Sequence, residues 1–342
     1  MTNDECLKND EARMSKDRGG EQLSSLGFRA SLDIRHSSLD IGLAALVRRW
    51  GEMIKFSHSV FALPFALMAT FLAGRESFRA GASPHVYVGP ADLLLIVVCM
   101  VAARSAAMTF NRIVDAAGDA RNPRTASRAI PAGTVSRSQA IAFLLTAAGI
   151  FIVGCLGFWW LNRNPWPAML ALPVLGYLCL YSYTKRFTRW SHFVLGGAIA
   201  FSPVAAWLAI HPASLGWPAI VLMAAVTLWI GGFDIIYACQ DVAFDRAAGL
   251  HSLPAAWGVG PALWVARIAH AATVLLLAGL VPLAGLGWLY ATGVVIVAIL
   301  LAVENALVRA SNLSRVNLAF FTVNGLISVV LGALTIADVL LV

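Results

Sequence analysis

The chain has 342 residues, of which 59% are hydrophobic and only 13% are charged, and its formal net charge is +7. A soluble domain has roughly 45–50% apolar and about 25% charged residues, so this composition excludes an ordinary soluble globular protein. A positive net charge is also typical of nucleic-acid binding, but here the basic residues follow a membrane topology, and we predict no nucleic-acid partner.

The N-terminal part of the chain differs from the rest. Residues 1–37 mix acidic and basic side chains with Ser and Gly and contain no sustained apolar run, which predicts a disordered cytoplasmic tail. In residues 38–55, apolar positions such as Leu43, Val47 and Trp50 recur every three or four residues. This periodicity predicts an amphipathic helix that lies on the membrane surface.

From residue 56 to the end, apolar runs of membrane-spanning length recur, and we identify nine of them. About 17–25 apolar residues cross the roughly 30 Å hydrocarbon core, and a spanning segment must satisfy its own backbone hydrogen bonds. The predicted spans are 56–73, 91–110, 138–161, 166–183, 192–211, 217–238, 262–282, 285–308 and 317–341. Residues 56–342 are therefore predicted to be one all-α, polytopic membrane domain of nine transmembrane helices.

The distribution of basic residues gives an orientation. If the N-terminus is inside, the outer loops contain only Arg75, Arg79 and Arg163, and all other Lys and Arg residues lie in the tail, the inner loops or the adjoining helix ends. This is a strong positive-inside pattern. It predicts a multi-pass protein of the inner, cytoplasmic membrane with its N-terminus in the cytoplasm.

Two predicted inner loops, 111–131 and 234–254, contain regularly spaced aspartates. The spaced residues are Asn111, Asp115 and Asp119 in the first motif and Tyr237, Asp241 and Asp245 in the second. Residues four apart stack on one face of an α-helix. The aspartates of the two motifs lie at a constant offset, a weak internal repeat that predicts two related four-helix halves plus one helix, with a site between the halves.

The four aspartates are the candidate catalytic and metal-binding groups. Like charges at this spacing destabilise a helix, and ionisable groups at a membrane span are costlier still, so a compensating cation is expected. Oxygen ligands that leave room for water and phosphate suit Mg²⁺. The alternative interpretation is a solvated helix end whose acids are balanced by neighbouring arginines.

Other polar residues on the same predicted side are candidates for substrate binding. One interpretation is that basic side chains there bind a diphosphate by charge and hydrogen bonds. The other is that they only set the orientation of the protein in the membrane. The candidate basic residues are Arg124, Arg128, Lys185 and Arg186. Asp234 lies within an apolar run, where a carboxylate is expensive, and this favours a functional role. Lys55 and His58 open the first span and are candidate substrate contacts, or they only reach to the interface.

At these residues the chain resembles the UbiA superfamily of intramembrane aromatic prenyltransferases, most closely its 4-hydroxybenzoate polyprenyltransferase branch. The resemblance runs from about Lys55 to the end of the chain. It rests on both aspartate motifs and on the segments Asn122-Pro-Arg-Thr125, Arg128-x-x-Pro131, Tyr183-Thr-Lys185-Arg186 and Lys55-x-x-His58. Many members have Asp after the first motif's Asn, whereas this chain has Arg112.

The resemblance implies a helical bundle around a central cavity with a lateral opening, and two Mg²⁺ ions that bridge the aspartates to a polyprenyl diphosphate. Asn111, Asp115 and Asp119 would bind one metal ion, and Asp241 and Asp245 the other. The basic residues named above and Tyr237 would contact the diphosphate, and Lys55 and His58 the acceptor. We add the hypothesis that Asp234 orients or deprotonates the acceptor hydroxyl.

The predicted function is therefore the transfer of a polyprenyl group to a ring carbon of a small aromatic quinone precursor within the lipid membrane. The preferred acceptor is 4-hydroxybenzoate, for ubiquinone biosynthesis. One alternative is a dihydroxynaphthoate, for menaquinone biosynthesis. The other alternative acceptors are haem, chlorophyllide, a phenolic product and a sugar phosphate. A cation transporter is a further alternative of a different class. Transporter sites lie near the bilayer midplane, whereas these acids lie at the predicted inner ends of the spans, which favours the enzyme.

Overall fold

The computed structural model describes residues 61–83 and 88–341, together with Gly51. The predicted tail 1–37, the predicted amphipathic helix 38–55 apart from Gly51, and both Lys55 and His58 lie outside the described residues. Within the described part of the chain, helices are the regular elements and there is no β-strand. The predicted all-α class is confirmed.

Eleven helical segments, apart from the short 3₁₀ turns Pro212–Ser214 and Cys239–Asp241, follow one another along the described chain. They are α1 (Leu63–Arg79), α2 (Pro90–Asp119), α3 (Arg137–Asn162), α4 (Trp166–Thr184), α5 (Ser191–Ile210), α6 (Trp217–Ala238), α7 (Val242–Ala247), α8 (Leu253–Trp257), α9 (Val259–Ala284), α10 (Trp288–Leu307) and α11 (Val316–Leu341). Eight of the helices in this part of the chain are long and apolar enough to cross a bilayer, which confirms a multi-pass membrane protein. The number nine is not confirmed, because α1 has 17 residues and the residues just before Phe61 are not described.

The long helices alternate in direction, so the ends of α2, α4, α6 and α10 lie at the same end of the bundle as the starts of α3, α5, α9 and α11. Both aspartate motifs lie at this end, which we call the motif end. The alternation follows from the sequence: each apolar run is about one bilayer thick, and a polar connection joins each run to the next.

At the opposite end of the bundle, α1 extends further than predicted. Arg75 and Arg79 were placed in an outer loop, which is wrong: both belong to α1. Arg75 is buried and donates hydrogen bonds to the carbonyl oxygens of Ala284 and, at 3.4 Å, Gly285. These carbonyls end α9, and a positive charge at a helix C-terminus is favourable. The helix therefore continues because its basic side chain has a partner across the bundle.

Helices α5 and α6 pack closely because glycines remove side-chain atoms from the contact. A Cβ atom added to Gly196 would lie 2.3 Å from the carbonyl oxygen of Thr227, and one added to Gly231 would lie 2.5 Å from the Phe193 ring. Transmembrane helices associate through such close approaches at small residues. The contact fixes α6, which leads into the second motif, against α5.

Gly196→Ala is expected to lower the thermal unfolding midpoint of the purified protein, because the atom it meets is backbone and cannot rotate away. Overpacking of this kind costs about 1–3 kcal/mol. The measurement is thermal unfolding in detergent. Gly176→Ala in α4 is the matched control: it meets no atom within 4 Å, and alanine favours a helix, so its midpoint should be unchanged or higher. Equal midpoints for the two variants would contradict the close packing of α5 on α6.

An aromatic cluster fills the bundle beside the second motif. The Tyr237 ring centroid lies 4.4 Å from that of Phe320, and Phe320 lies 5.1 Å from Phe233. Phe320 belongs to a π-helical turn, Ala319–Val323, within α11. Asn324 Nδ2 donates to the Ala319 carbonyl at 3.2 Å, which satisfies a backbone oxygen at this irregular turn. Tyr237 thus has a rigid apolar wall on its bundle side.

Candidate active site

The first aspartate motif is helical throughout. Helix α2 continues past its apolar run and ends at Asp119, so Asn111, Asp115 and Asp119 lie on one face of its last turns. The expected shared face is present, but the assignment of Asn111 to Asp119 to a loop is wrong. Asn111 Nδ2 donates to Asp115 Oδ2 at 2.9 Å, and both aspartates are buried. Pro123 follows closely and disfavours further α-helix at Asn122.

The second motif is not on one continuous α-helix. Helix α6 ends at Ala238, a 3₁₀ turn covers Cys239–Asp241, and α7 begins at Val242. A 3₁₀ turn has 3.0 residues per turn instead of 3.6, so Asp245 is rotated relative to Tyr237 and Asp241. The expectation of a single α-helical face is therefore wrong for this motif.

The loop after α2 brings the two motifs together. Arg124 Nε donates to Asp241 Oδ1 at 2.8 Å, Arg124 Nη2 donates to Asp241 Oδ2, and Arg124 Nη1 donates to the Tyr237 hydroxyl at 2.8 Å. Asn122 Nδ2 also donates to Asp241 Oδ1, at 3.3 Å. Partial burial by itself would lower the pKa of Arg124, but the hydrogen bond to Asp241 and the interaction with Tyr237 outweigh it, so the pKa is raised. The guanidinium remains charged.

Three more basic side chains contact the aspartates of the first motif. Arg128 Nη1 donates to both carboxylate oxygens of Asp119, at 2.6 and 2.7 Å. Directly after α4, Lys185 Nζ lies 3.5 Å from Asp115 Oδ2 and Arg186 Nη2 lies 3.8 Å from Asp115 Oδ1. The Lys185 and Arg186 side chains are about half exposed, at 43% and 46%. Such half-exposed ion pairs contribute little to stability.

Two side chains near the second motif were not foreseen from the sequence. Ser252 Oγ donates to Asp245 Oδ2 at 2.7 Å, and His192 Nδ1 lies 2.7 Å from Asp234 Oδ2. His192 is 42 residues from Asp234 in the chain, so no local spacing connects them. Sequence patterns show such a contact only after the packing of α5 on α6 is known.

Arg104 was also missed, although its position carries a signal. It interrupts the apolar run of α2, and it lies on the same face as Asn111 and Asp115, about 10 Å from Asn111 along the helix axis. Its Nε is buried and has no hydrogen-bond partner among the described residues. An arginine within a membrane span indicates a functional site unless something nearby neutralises it.

The oxygen atoms at the motif end suit a Mg²⁺ ion whose remaining ligands come from a phosphate group. Among the described residues, no three His, Cys, Asp or Glu side chains form a group that could hold a metal ion. Mg²⁺ commonly takes only one or two carboxylates and completes its shell with water and substrate phosphate oxygens. The carboxylates supply the hard oxygen donors, and the nearby arginine forks match phosphate oxygens.

Comparison with known proteins agrees with this chemistry. The profile of the UbiA prenyltransferase family matches residues 62–326. A protoheme IX farnesyltransferase of Gluconacetobacter diazotrophicus is 32% identical over 240 residues, which cover 67% of this chain and 73% of that protein. A 4-hydroxybenzoate octaprenyltransferase of Hydrogenovibrio crunogenus is 30% identical over 210 residues, 60% of this chain and 70% of that protein.

Solved structures share the fold. The apo structure of a UbiA homolog from Aeropyrum pernix K1 has a TM-score of 0.71 and 29% identity, and the match covers 82% of this chain and 98% of that one. A UbiA homolog from Archaeoglobus fulgidus bound to GPP and Mg²⁺ has a TM-score of 0.64 and 17% identity, with 85% of this chain and 99% of that one covered. At 17% identity, the second likeness concerns the fold alone.

Proposed function

Since the chain belongs to the UbiA prenyltransferase family, we propose that it transfers a polyprenyl group from a polyprenyl diphosphate to a ring carbon of 4-hydroxybenzoate, in ubiquinone biosynthesis. The observation that carries the proposal is the meeting of both aspartate motifs, with four basic side chains on them, at one end of an apolar bundle. The membrane would be the inner, cytoplasmic membrane, with the motif end on the cytoplasmic side.

The aspartates are the proposed metal ligands. Asn111, Asp115 and Asp119 would hold one Mg²⁺, and Asp241 and Asp245 the other. When bound, Mg²⁺ neutralises negative charge that develops on the leaving diphosphate. The proposal is supported by the oxygen donor set and by the A. fulgidus homolog that was solved with GPP and Mg²⁺.

The basic side chains that pair with the aspartates are also the proposed ligands of the substrate diphosphate. Arg124 forms an ion pair with Asp241, and Arg128 forms one with Asp119. If the carboxylates held Mg²⁺, both guanidinium groups would be available to phosphate oxygens, which match their planar geometry. Tyr237 accepts a hydrogen bond from Arg124, so its own hydroxyl proton remains available for a phosphate oxygen. Lys185 and Arg186 add charge from the side of α4.

The reaction needs a dry cavity beneath the diphosphate. The allylic carbon–oxygen bond breaks, the acceptor ring carbon bonds to the allylic carbon, and the displaced ring proton is lost as aromaticity returns. Water would capture the electron-deficient allylic carbon. The aromatic wall of Phe233, Tyr237 and Phe320 contributes to its exclusion.

Arg104 supports an anionic acceptor. Arg104 lies two turns of α2 before Asn111, and its buried Nε has no hydrogen-bond partner among the described residues. A carboxylate on the acceptor would supply the missing partner. 4-Hydroxybenzoate, a dihydroxynaphthoate and protohaem all carry one, so Arg104 does not separate these three acceptors. Lys55 and His58, the predicted acceptor contacts, lie outside the described residues.

The experiment that tests the proposal is prenyl transfer by membranes containing the protein. Geranyl diphosphate would be supplied with 4-hydroxybenzoate, 1,4-dihydroxy-6-naphthoate or protohaem, in Mg²⁺ or in EDTA. We expect a prenylated product from 4-hydroxybenzoate that requires Mg²⁺, because the diphosphate cannot leave without its counter-charge. Membranes that contain Asp115→Ala protein control for host enzymes.

The other outcomes each have a meaning. Product with the naphthoate or protohaem alone would keep prenyl transfer and replace the acceptor. Equal product in Mg²⁺ and in EDTA would contradict the metal assignment. The absence of any product from folded protein, also with longer prenyl diphosphates, would contradict prenyl transfer. It would favour the alternative of a cation transporter, which family membership otherwise disfavours.

A further inference from the structure

Hydrogen bonds from the end of the loop between α7 and α8, and from the first residue of α8, reach three other segments. The backbone N–H of His251 donates to the Lys185 carbonyl at 2.7 Å, Ser252 Oγ donates to Asp245 Oδ2 at 2.7 Å, and the N–H of Leu253 donates to His192 Nε2 at 3.3 Å. The loop thus joins the end of α4, the second motif and the start of α5. Ser252 and His192 have no part in the function proposed above.

The bonds of His192 define its tautomer. Because Nε2 accepts the Leu253 N–H, it carries no proton, and Nδ1 must carry the proton of the neutral ring. Nδ1 then donates to Asp234 Oδ2 at 2.7 Å. His192 is buried, at 3% exposure, so the ring is held from both sides. Asp234 on α6 therefore fixes an imidazole on α5, and the imidazole fixes the start of α8.

Ser252 has an equally defined arrangement. Its Oγ accepts the N–H of Ala255, as the N-cap of α8, so its hydroxyl proton is directed elsewhere, to Asp245 Oδ2. Asp245 is buried, and its carboxylate accepts this hydrogen bond. The bond fixes the position of Oδ2 and with it the orientation of the carboxylate.

We propose that Ser252 and the Asp234–His192 pair are positioning residues that set the orientation of Asp245 for the divalent cation. Groups that hydrogen-bond a metal-binding carboxylate orient it, and their removal weakens metal binding. Asp234 then acts through His192, and not on the acceptor hydroxyl as hypothesised from the sequence. This inference rests on the proposed function, in which Asp245 is a metal ligand.

The experiment measures metal binding without turnover. Purified protein in detergent, with saturating inorganic pyrophosphate, would be titrated with Mn²⁺, and free Mn²⁺ would be followed by electron paramagnetic resonance. We expect Ser252→Ala and His192→Ala each to raise the Kd for Mn²⁺ by about 10-fold. His251→Ala removes an exposed imidazole from the same loop but keeps the backbone N–H, so it should bind Mn²⁺ as wild type does.

The loop variants are interpreted against Asp245→Ala. If Asp245→Ala binds Mn²⁺ weakly but Ser252→Ala and His192→Ala bind it as wild type does, the positioning role is overturned and the proposed function stands. If Asp245→Ala itself binds as wild type does, the metal assignment fails. Ser252→Ala loses one hydroxyl, so it keeps the test valid if thermal unfolding shows that His192→Ala does not fold.

Asp234→Asn separates the two roles of that residue. The positioning role predicts weaker Mn²⁺ binding and a pH profile of transfer with unchanged shape, because the acceptor hydroxyl has lost no base. Wild-type Mn²⁺ binding together with an altered pH profile would overturn the inference for Asp234 and restore its contact with the acceptor.

Discussion

Asp241→Ala is expected to lower kcat/KM for prenyl transfer by about 10³-fold or more, corresponding to the several kcal/mol that metal-bound charge supplies. Asp241 is the proposed metal ligand at which the two motifs meet: Arg124 binds both of its oxygens and Asn122 binds one. Its removal takes away a cation ligand and leaves the Arg124 guanidinium without its carboxylate. The measurement is steady-state transfer at saturating Mg²⁺.

Asp92→Ala is the matched control for this variant. Asp92 is also an aspartate next to a membrane span, but it lies in the first turn of α2, at the opposite end from the motifs, where it accepts a hydrogen bond from Asn162. Its kcat/KM should stay within about 3-fold of wild type, a difference of less than 1 kcal/mol. Folding of both variants is checked by thermal unfolding. Near-normal transfer by folded Asp241→Ala would exclude it as a metal ligand.

The sequence predicted the position of the helices well because membrane thickness dictates the length of an apolar run. The predicted spans 166–183 and 217–238 nearly coincide with α4 and α6. The predicted ends of the spans were wrong where polar residues continue a helix beyond its apolar run. Arg75 stays in α1 because its partners are carbonyls 209 and 210 residues away, which no local pattern can indicate.

In the candidate site, too, the sequence predicted local features but not those that depend on distant parts of the chain. The four-residue spacing predicted a shared helix face, which α2 has, but the same spacing in the second motif gave no sign of the 3₁₀ turn at Cys239–Asp241. The sequence also gave Arg124 only as a phosphate contact. Its bonds to Tyr237 and Asp241, 113 and 117 residues away, depend on how the loop after α2 folds across the bundle.

The second large effect is expected at Arg104. Arg104→Leu should raise KM for 4-hydroxybenzoate by about 10–100-fold, because a hydrogen bond to a charged group contributes about 1.5–3 kcal/mol. KM for geranyl diphosphate should stay within about 3-fold, since Arg104 lies deeper in α2 than the aspartates. The measurement is steady-state transfer with each substrate varied in turn. Arg137→Leu, an exposed arginine that begins α3, is the control and should change neither constant.

The charge of the acceptor decides whether Arg104 binds it. With 4-hydroxybenzamide, which has the same ring and hydroxyl but no negative charge, wild type and Arg104→Leu should differ by no more than about 3-fold, less than 1 kcal/mol. An equal loss with both acceptors would mean that Arg104 shapes the cavity without binding a carboxylate. A normal KM for 4-hydroxybenzoate would mean that another group binds the acceptor. The buried Nε of Arg104 would then remain without a partner, which is costly within a membrane bundle, so we expect the charge-dependent result.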